Sequence, residues 1–148
     1  MREKVSADRV EKFMKAVGRA GKKRAHIYFV GGATAVLLGW RETKIDLDVK
    51  IIPEADDLLR ALPHLKEDLQ LNIKLASPED FIPPLPGWEE RSSYIGKEGQ
   101  IEFFHYDFYA QALSKIERGH NTDLLDVRNM IERGLIEPSR LMELFTRI

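Results

Sequence analysis

Tyr28-Phe29-Val30-Gly31-Gly32-Ala33, with Asp46-Leu47-Asp48-Val49 separated from Gly32 by thirteen residues, sets the expectation for the fold. His26 to Val30 is a short run rich in β-formers that stops at the paired glycines. Ala33 to Gly39 then reads as a brief helix of good formers, and the run Ile45 to Ile52 alternates until Pro53 ends it. Strict alternation puts Asp46, Asp48 and Lys50 on one side of that strand and Leu47, Val49 and Ile51 on the other. Two carboxylates on one face can converge on a hard cation such as Mg²⁺ or Mn²⁺, which prefers oxygen ligands. The same alternation also permits an edge strand kept soluble by outward charges. Gly31-Gly32 at a strand exit lets backbone N–H groups approach an anion closely, although paired glycines also serve as ordinary tight turns. Neither a Walker A loop nor a G-x-G-x-x-G dinucleotide turn is formed, because no Gly-Lys-Ser/Thr follows and Gly39 is too distant.

Working outward, Val10, Phe13, Met14 and Val17 follow helical spacing behind Ser6, so residues 7–19 read as an amphipathic helix ending near Gly18 and Gly21. Residues 54–69 read as helical, broken or restarted at Pro63, and Leu71 to Leu75 as a strand. Ser77-Pro78-Glu79-Asp80 is a capped helical turn, and Pro83, Pro84, Pro86 and Gly87 forbid regular structure after it. Strands around Arg91–Gly96 and Gln100–Tyr106 face each other across Lys97-Glu98-Gly99 as a hairpin. From Asp107 the chain turns helical, with Tyr109, Ala112, Leu113 and Ile116 on one stripe and Gly119 as a stop. A second helix spans about Thr122 to Arg133, and a third starts at Pro138 and is expected to bury Leu141, Leu144, Phe145 and Ile148. The fold class that follows is α+β with a mixed sheet flanked by helices. Residues 1–148 read as one domain whose helical C-terminal part covers about 107–148.

The 148 residues combine 43% hydrophobic with 32% charged side chains, which excludes a disordered or collagen-like chain. No apolar run reaches the roughly 18 residues of a membrane span. A charged N-terminus without a following apolar stretch argues against a signal peptide, and a cytoplasmic location is the expectation. Zero cysteines exclude disulfides, thiolate metal sites and a Cys nucleophile. The net charge of −1 hides an asymmetry, because residues 1–25 hold nine Lys/Arg against three Asp/Glu. Lys22-Lys23-Arg24 can contact phosphate or nucleic acid, or form a solvated helix end. The four histidines, His26, His64, His105 and His120, form no zinc spacing, although His105-x-Asp107 could orient a phosphate or a metal. Phe103, Phe104, Tyr106, Phe108 and Tyr109 are candidates for base stacking or core packing, with Trp88 a more exposed aromatic.

Taken together, the strand, the Gly-Gly turn and Asp-x-Asp on the next strand resemble the signature of the nucleotidyltransferase superfamily, and Arg41-x-Thr43 before the aspartates adds to the likeness. A second likeness lies in Leu113-Ser114-Lys115-Ile116-Glu117-Arg118 followed by Asp123-Leu124-Leu125-Asp126. It is similar to the Lys, Arg and Asp-x-x-Asp block of AbiEii-type nucleotidyltransferase toxins and their small relatives. The resemblance implies Mg²⁺ or Mn²⁺ on Asp46 and Asp48, and nucleotide phosphates against Gly31, Gly32 and Thr34, with Arg41 and Thr43 close by. It further implies a phosphate-neutralising Lys115 and an assisting Asp123. Ala33 stands where many members carry Ser, which leaves phosphate contact to the backbone with Thr34 as the nearest hydroxyl. For the third carboxylate, Glu102 and Asp107 fall on opposite faces by alternation; Asp107 is preferred, and it can instead cap the following helix.

The implied function is nucleotidyl transfer from a metal-bound NTP to a hydroxyl on RNA or protein, in a toxin–antitoxin or phage-defence setting with a cognate antitoxin or toxin as partner. Two alternatives stand beside it. One is an inactive descendant that binds nucleotide or a partner protein. The other is a small nucleic-acid-binding module using the basic N-terminal helix.

Overall fold

The computed structural model describes residues 5–42 and 46–148. Among them, five strands form one mixed sheet in the order β3-β2-β1-β5-β4. The strands are β1 (Ala25–Val30), β2 (Asp46–Ile52), β3 (Asn72–Leu75), β4 (Ser93–Glu98) and β5 (Ile101–His105). β1 pairs antiparallel with β2 and parallel with β5, while β2 pairs parallel with β3. The chain divides into two compact units, one running to Ala76 and resuming over Tyr94–His105, the other made of Ser77–Ser93 and Tyr106–Ile148.

The first unit holds the sheet and three helices, α1 (Ala7–Ala20), α2 (Gly32–Leu38) and α3 (Asp56–Leu69). Helix α1 begins where Ser6 accepts a hydrogen bond from the Arg9 N–H, satisfying one of the donors that the first turn leaves without a partner. Val10, Phe13 and Val17 of α1, and Leu58, Leu62 and Leu65 of α3, join Ile27, Phe29, Leu47, Val49, Ile51, Ile73, Ile101 and Phe103 in one core. Each large side chain so buried contributes about 1.5–3 kcal/mol of hydrophobic stabilisation. The Phe29 and Phe103 rings stack at 5.9 Å, and Phe13 meets Phe29 edge-on at 6.1 Å. Because successive strand residues point to opposite faces, this core leaves His26, Tyr28, Asp46, Asp48, Lys50, Glu102 and Phe104 together on the other face.

Helix α1 ends at Ala20 with Gly21 as its C-cap, as the sequence reading expected; Gly18, within the last turn, is a buried point of close approach, where an added Cβ would lie 2.6 Å from the Glu98 Cβ and 2.8 Å from its carbonyl oxygen. Pro63 neither breaks nor restarts α3. A proline within a helix removes one backbone hydrogen bond, and here Leu58, Leu62 and Leu65 pack the helix against the core on both sides of it.

In the second unit, a 3₁₀ turn (Pro78–Asp80) carries the expected Ser77 cap, and Asp80 completes a capping box. The stretch read as the start of a strand at Arg91 is instead the end of a helical turn, α4 (Trp88–Arg91), and β4 starts two residues later. Three helices follow, α5 (Phe108–Arg118), α6 (Asn121–Glu132) and α7 (Pro138–Phe145). Gly119 ends α5 in the left-handed region, a position that favours glycine. Trp88 stacks flat on Tyr106 at 4.3 Å, and the Tyr106 hydroxyl donates to Glu79 at 3.1 Å. Burial, aided by the Glu79 charge, pushes the Tyr106 phenol up, so it stays protonated. Leu141 and Leu144 are buried as expected, but Ile116, Phe145 and Ile148 are exposed. They line a groove of about 420 Å³ with Phe81 and Met142 rather than a closed core. No helix among the described residues is long and apolar enough to cross a membrane.

Candidate active site

The exit of β1 and the start of β2 meet because the strands pair antiparallel with Val30 opposite Asp48. Gly31 turns the chain with φ 61° and ψ −125°, a conformation that L side chains rarely adopt, and α2 starts at Gly32. A Cβ built on Gly31 would stand 3.8 Å from Asp48 Oδ2, so the glycine turn and the second aspartate border one space. Asp46 lies two residues earlier on the same face, opposite Asn72 of β3.

The surroundings of Asp46 bear on whether a cation fits. Its Oδ1 accepts a hydrogen bond from the Asn72 amide, and its Oδ2 lies 3.3 Å from Lys74 Nζ. The Lys74 ammonium thus already stands as a cation against this carboxylate. The Lys74 side chain is 59% exposed, and an exposed pair of this kind is worth at most about 1 kcal/mol, so it can yield to a more strongly bound cation. Two half-buried carboxylates on one strand face are an oxygen donor set that suits Mg²⁺ or Mn²⁺. β2 lies between β1 and β3, which overturns the reading of these aspartates as solubilising charges on an edge strand.

The other described residues singled out in the sequence have partners of their own. Thr34 is fully buried, with its hydroxyl 3.4 Å from the Phe29 carbonyl and 3.0 Å from His105 Nδ1, so it faces the interior rather than a phosphate. Burial holds His105 down at about pKa 4, and the ring is neutral at physiological pH. It is an interior hydrogen-bonding group, not a phosphate or metal contact.

Asp107 is 1% exposed and caps α5, accepting from the Tyr109 N–H at 3.2 Å. Arg91 also donates to it, at 2.8 and 3.1 Å from Nη2 and Nε. Of the two readings left open for Asp107, the capping one is the geometry seen. Glu102 pairs with His26 at 3.2 Å, opposite it in the β1–β5 register. His26 and Val30 are four residue steps apart on β1, about 13 Å of strand, so Glu102 stands well away from the Asp48 level. No cluster of three or more His, Asp or Glu side chains able to hold a metal occurs among the described residues.

Within the helical unit, Lys115 and Asp123 are brought together, but in a buried network. Lys115 Nζ lies 2.9 Å from Asp126 and 3.7 Å from Asp123, and Arg118 Nε lies 3.3 Å from Asp123 Oδ2. The Arg118 approach is a charge contact, since Asp123 Oδ2 accepts no hydrogen bond of its own. Arg41 lies just past α2, and Thr43 lies outside the described residues. Sequence reasoning missed Asn72 and Lys74 as the partners of Asp46. Their i, i+2 spacing on a short strand was visible, but only the parallel β2–β3 register reveals that they face the aspartates.

Comparison with curated proteins gives no match, and neither does comparison with solved structures. A family model described as a nucleotidyltransferase of unknown function, DUF6036, matches residues 8–147, from the first turn of α1 to the residue before the last. That match takes in the glycine turn and the aspartate pair as well as the Lys115 helix and its acidic partners. The chain therefore belongs to the DUF6036 family of nucleotidyltransferases of unknown function.

Proposed function

We propose that the protein transfers a nucleotidyl group from an NTP to an acceptor hydroxyl on RNA or protein, using Asp46 and Asp48 to hold Mg²⁺ or Mn²⁺. The observation that carries this reading is the placement of Asp48 Oδ2 against the positive-φ turn at Gly31, with Asp46 on the same strand face. A divalent cation bound there supplies charge stabilisation to the phosphoryl oxygens. The backbone at Gly31 and Gly32 would approach the phosphates, with Gly31 in a positive-φ turn that favours glycine, and Asn72 donates to the Asp46 carboxylate. Phosphoryl transfer needs mainly positioning and electrostatics, which such a constellation supplies.

One observation favours a second reading, in which nucleotide is bound but not transferred. Both candidate third carboxylates are engaged elsewhere, Asp107 by Arg91 and the α5 cap and Glu102 by His26. Calorimetric titration of the four NTPs, with and without Mg²⁺, separates the possibilities when run beside an Asp46→Ala/Asp48→Ala variant checked by circular dichroism. Metal-dependent binding by the wild type, lost in the folded variant, is the expected result, together with labelled-NTP transfer reduced at least about 100-fold. Binding without transfer supports the second reading, and no NTP binding by folded wild type sinks both. A toxin–antitoxin or phage-defence role follows the AbiEii resemblance, and growth arrest on expression that requires both aspartates is its test.

A further inference from the structure

The sheet face that carries Asp46 and Asp48 also carries an aromatic and cationic track leading away from them. Phe104, opposite Tyr28 in the β1–β5 register, stacks on the Tyr28 ring at 5.1 Å and 22°. His26 lies 4.9 Å from Phe104 on one side, and Tyr94 of β4 meets Phe104 edge-on at 5.5 Å. Tyr94 is 57% exposed, so a large aromatic surface is held toward solvent by rings packed behind it. Lys50 of β2 stands opposite Tyr28. Beyond His26, a polar recess of about 220 Å³ is lined by Arg24, Lys97, Gln100 and Glu102, and both Arg24 and Lys97 are exposed. Arg24 and Lys97 therefore stand at one end of these strands, with Glu102 in the same recess and paired to His26, and Asp46 and Asp48 stand at the other, roughly 13 Å away along β1.

We infer that this face of the sheet binds a single-stranded nucleic acid, with a base stacked on Tyr94 and phosphates at Arg24 and Lys97, and so presents an acceptor strand to Asp46 and Asp48. An exposed aromatic beside cations is the arrangement that tracks unpaired bases and backbone together. A duplex keeps its base faces stacked internally and offers this track only its phosphates, and an acidic protein has no base to place on Tyr94. The basic segment ending in Lys22-Lys23-Arg24 thereby gains a role through Arg24, at the mouth of the recess. The purpose of this track rests on the transfer reading, but the binding does not.

The test is fluorescence anisotropy of a labelled RNA of about ten nucleotides, single-stranded or in duplex, in EDTA and without nucleotide. The single strand is expected to bind more tightly than the duplex. Tyr94→Ala should weaken it roughly 5- to 150-fold, the range for one lost base stack, while Tyr94→Trp retains it. Arg24→Ala/Lys97→Ala should reduce the slope of log affinity against log salt by about 1.4, as expected for two lost phosphate contacts. Tyr94 is exposed, so circular dichroism of Tyr94→Ala should match that of the wild type. Equal binding of the duplex, or indifference to Tyr94→Ala in the folded variant, overturns the inference. Tyr94-dependent RNA binding without NTP binding leaves the track standing and fails the transfer reading. NTP binding without RNA binding does the reverse.

Discussion

Asp46 and Asp48 stand half-buried on a strand, one beside a glycine turn and the other against an exposed lysine, whereas Asp123 and Asp126 are buried on a helix around Lys115. Both pairs follow short acidic spacings that sequence reading marks as functional. The difference lies in what neutralises each pair. On β2 the countercharge is a solvent-screened ammonium that another cation can replace. In the helical unit the countercharges are built in: Lys115 is 6% exposed and its nearest carboxylate lies 2.9 Å away. A carboxylate paired internally at low dielectric acts first as architecture, since removing one partner leaves an uncompensated buried charge.

The sharpest test of this contrast is Asp126→Ala. It strands the Lys115 ammonium beside only the more distant Asp123 and should cost about 3–5 kcal/mol in urea unfolding. Lys115→Met/Asp126→Leu, which removes both charges and keeps the volume, should recover most of that loss. Asp46→Ala should cost no more than about 1 kcal/mol by the same measurement, because its ion pair is exposed. If Asp46→Ala were the more damaging of the two, the distinction between an exchangeable and a built-in countercharge would fail.

His105 supplies a buried titratable group of a third kind, one that stays neutral. Its folded pKa of about 4 lies below the ordinary 6.5, so the unfolded chain takes up the proton first as pH falls. Stability from this group is complete above pH 6.5 and is lost as pH falls toward 4, amounting to roughly 2 kcal/mol between pH 7 and 5. His105→Gln should flatten that part of the stability profile measured by denaturant titration. An unchanged slope would mean that the ring is not shielded in solution.

Gly31→Ala should cost about 1–2 kcal/mol of stability, as expected for an L residue held at positive φ. Its sharper consequence should fall on nucleotide binding, because the new methyl would sit beside Asp48 Oδ2. Thermal unfolding and calorimetry on the same variant separate the two. A loss of stability without loss of nucleotide affinity would remove the glycine turn from the proposed site.

Much of this molecule is legible along the chain because local rules are strong where periodicity, caps and glycines agree. Ser6, Ser77 and Gly119 mark their helix ends, and the alternation of β2 assigns each aspartate to a face. Where a residue's conformation depends on distant packing, the local signal misleads or says nothing. Pro63 lies within a continuous helix because the leucines around it are pinned to the core, and Gly18 marks an approach of Glu98 that is eighty residues away in sequence.

The same division runs through the site. The order of strand, glycine turn, short helix and Asp-x-Asp strand is fixed by the sequence itself, since it depends on spacings of two and on a turn that favours glycine. Which polar groups stand against those aspartates is a matter of register between β2 and β3, and only the folded sheet sets it. Likewise, the Asp107 cap on α5 is a local contact legible in the sequence, whereas tertiary packing alone brings Arg91 to Asp107 and turns Thr34 toward His105. The physical reason is that a side chain's chemistry is local, but its desolvation and its partners are contributed by residues far away in the chain.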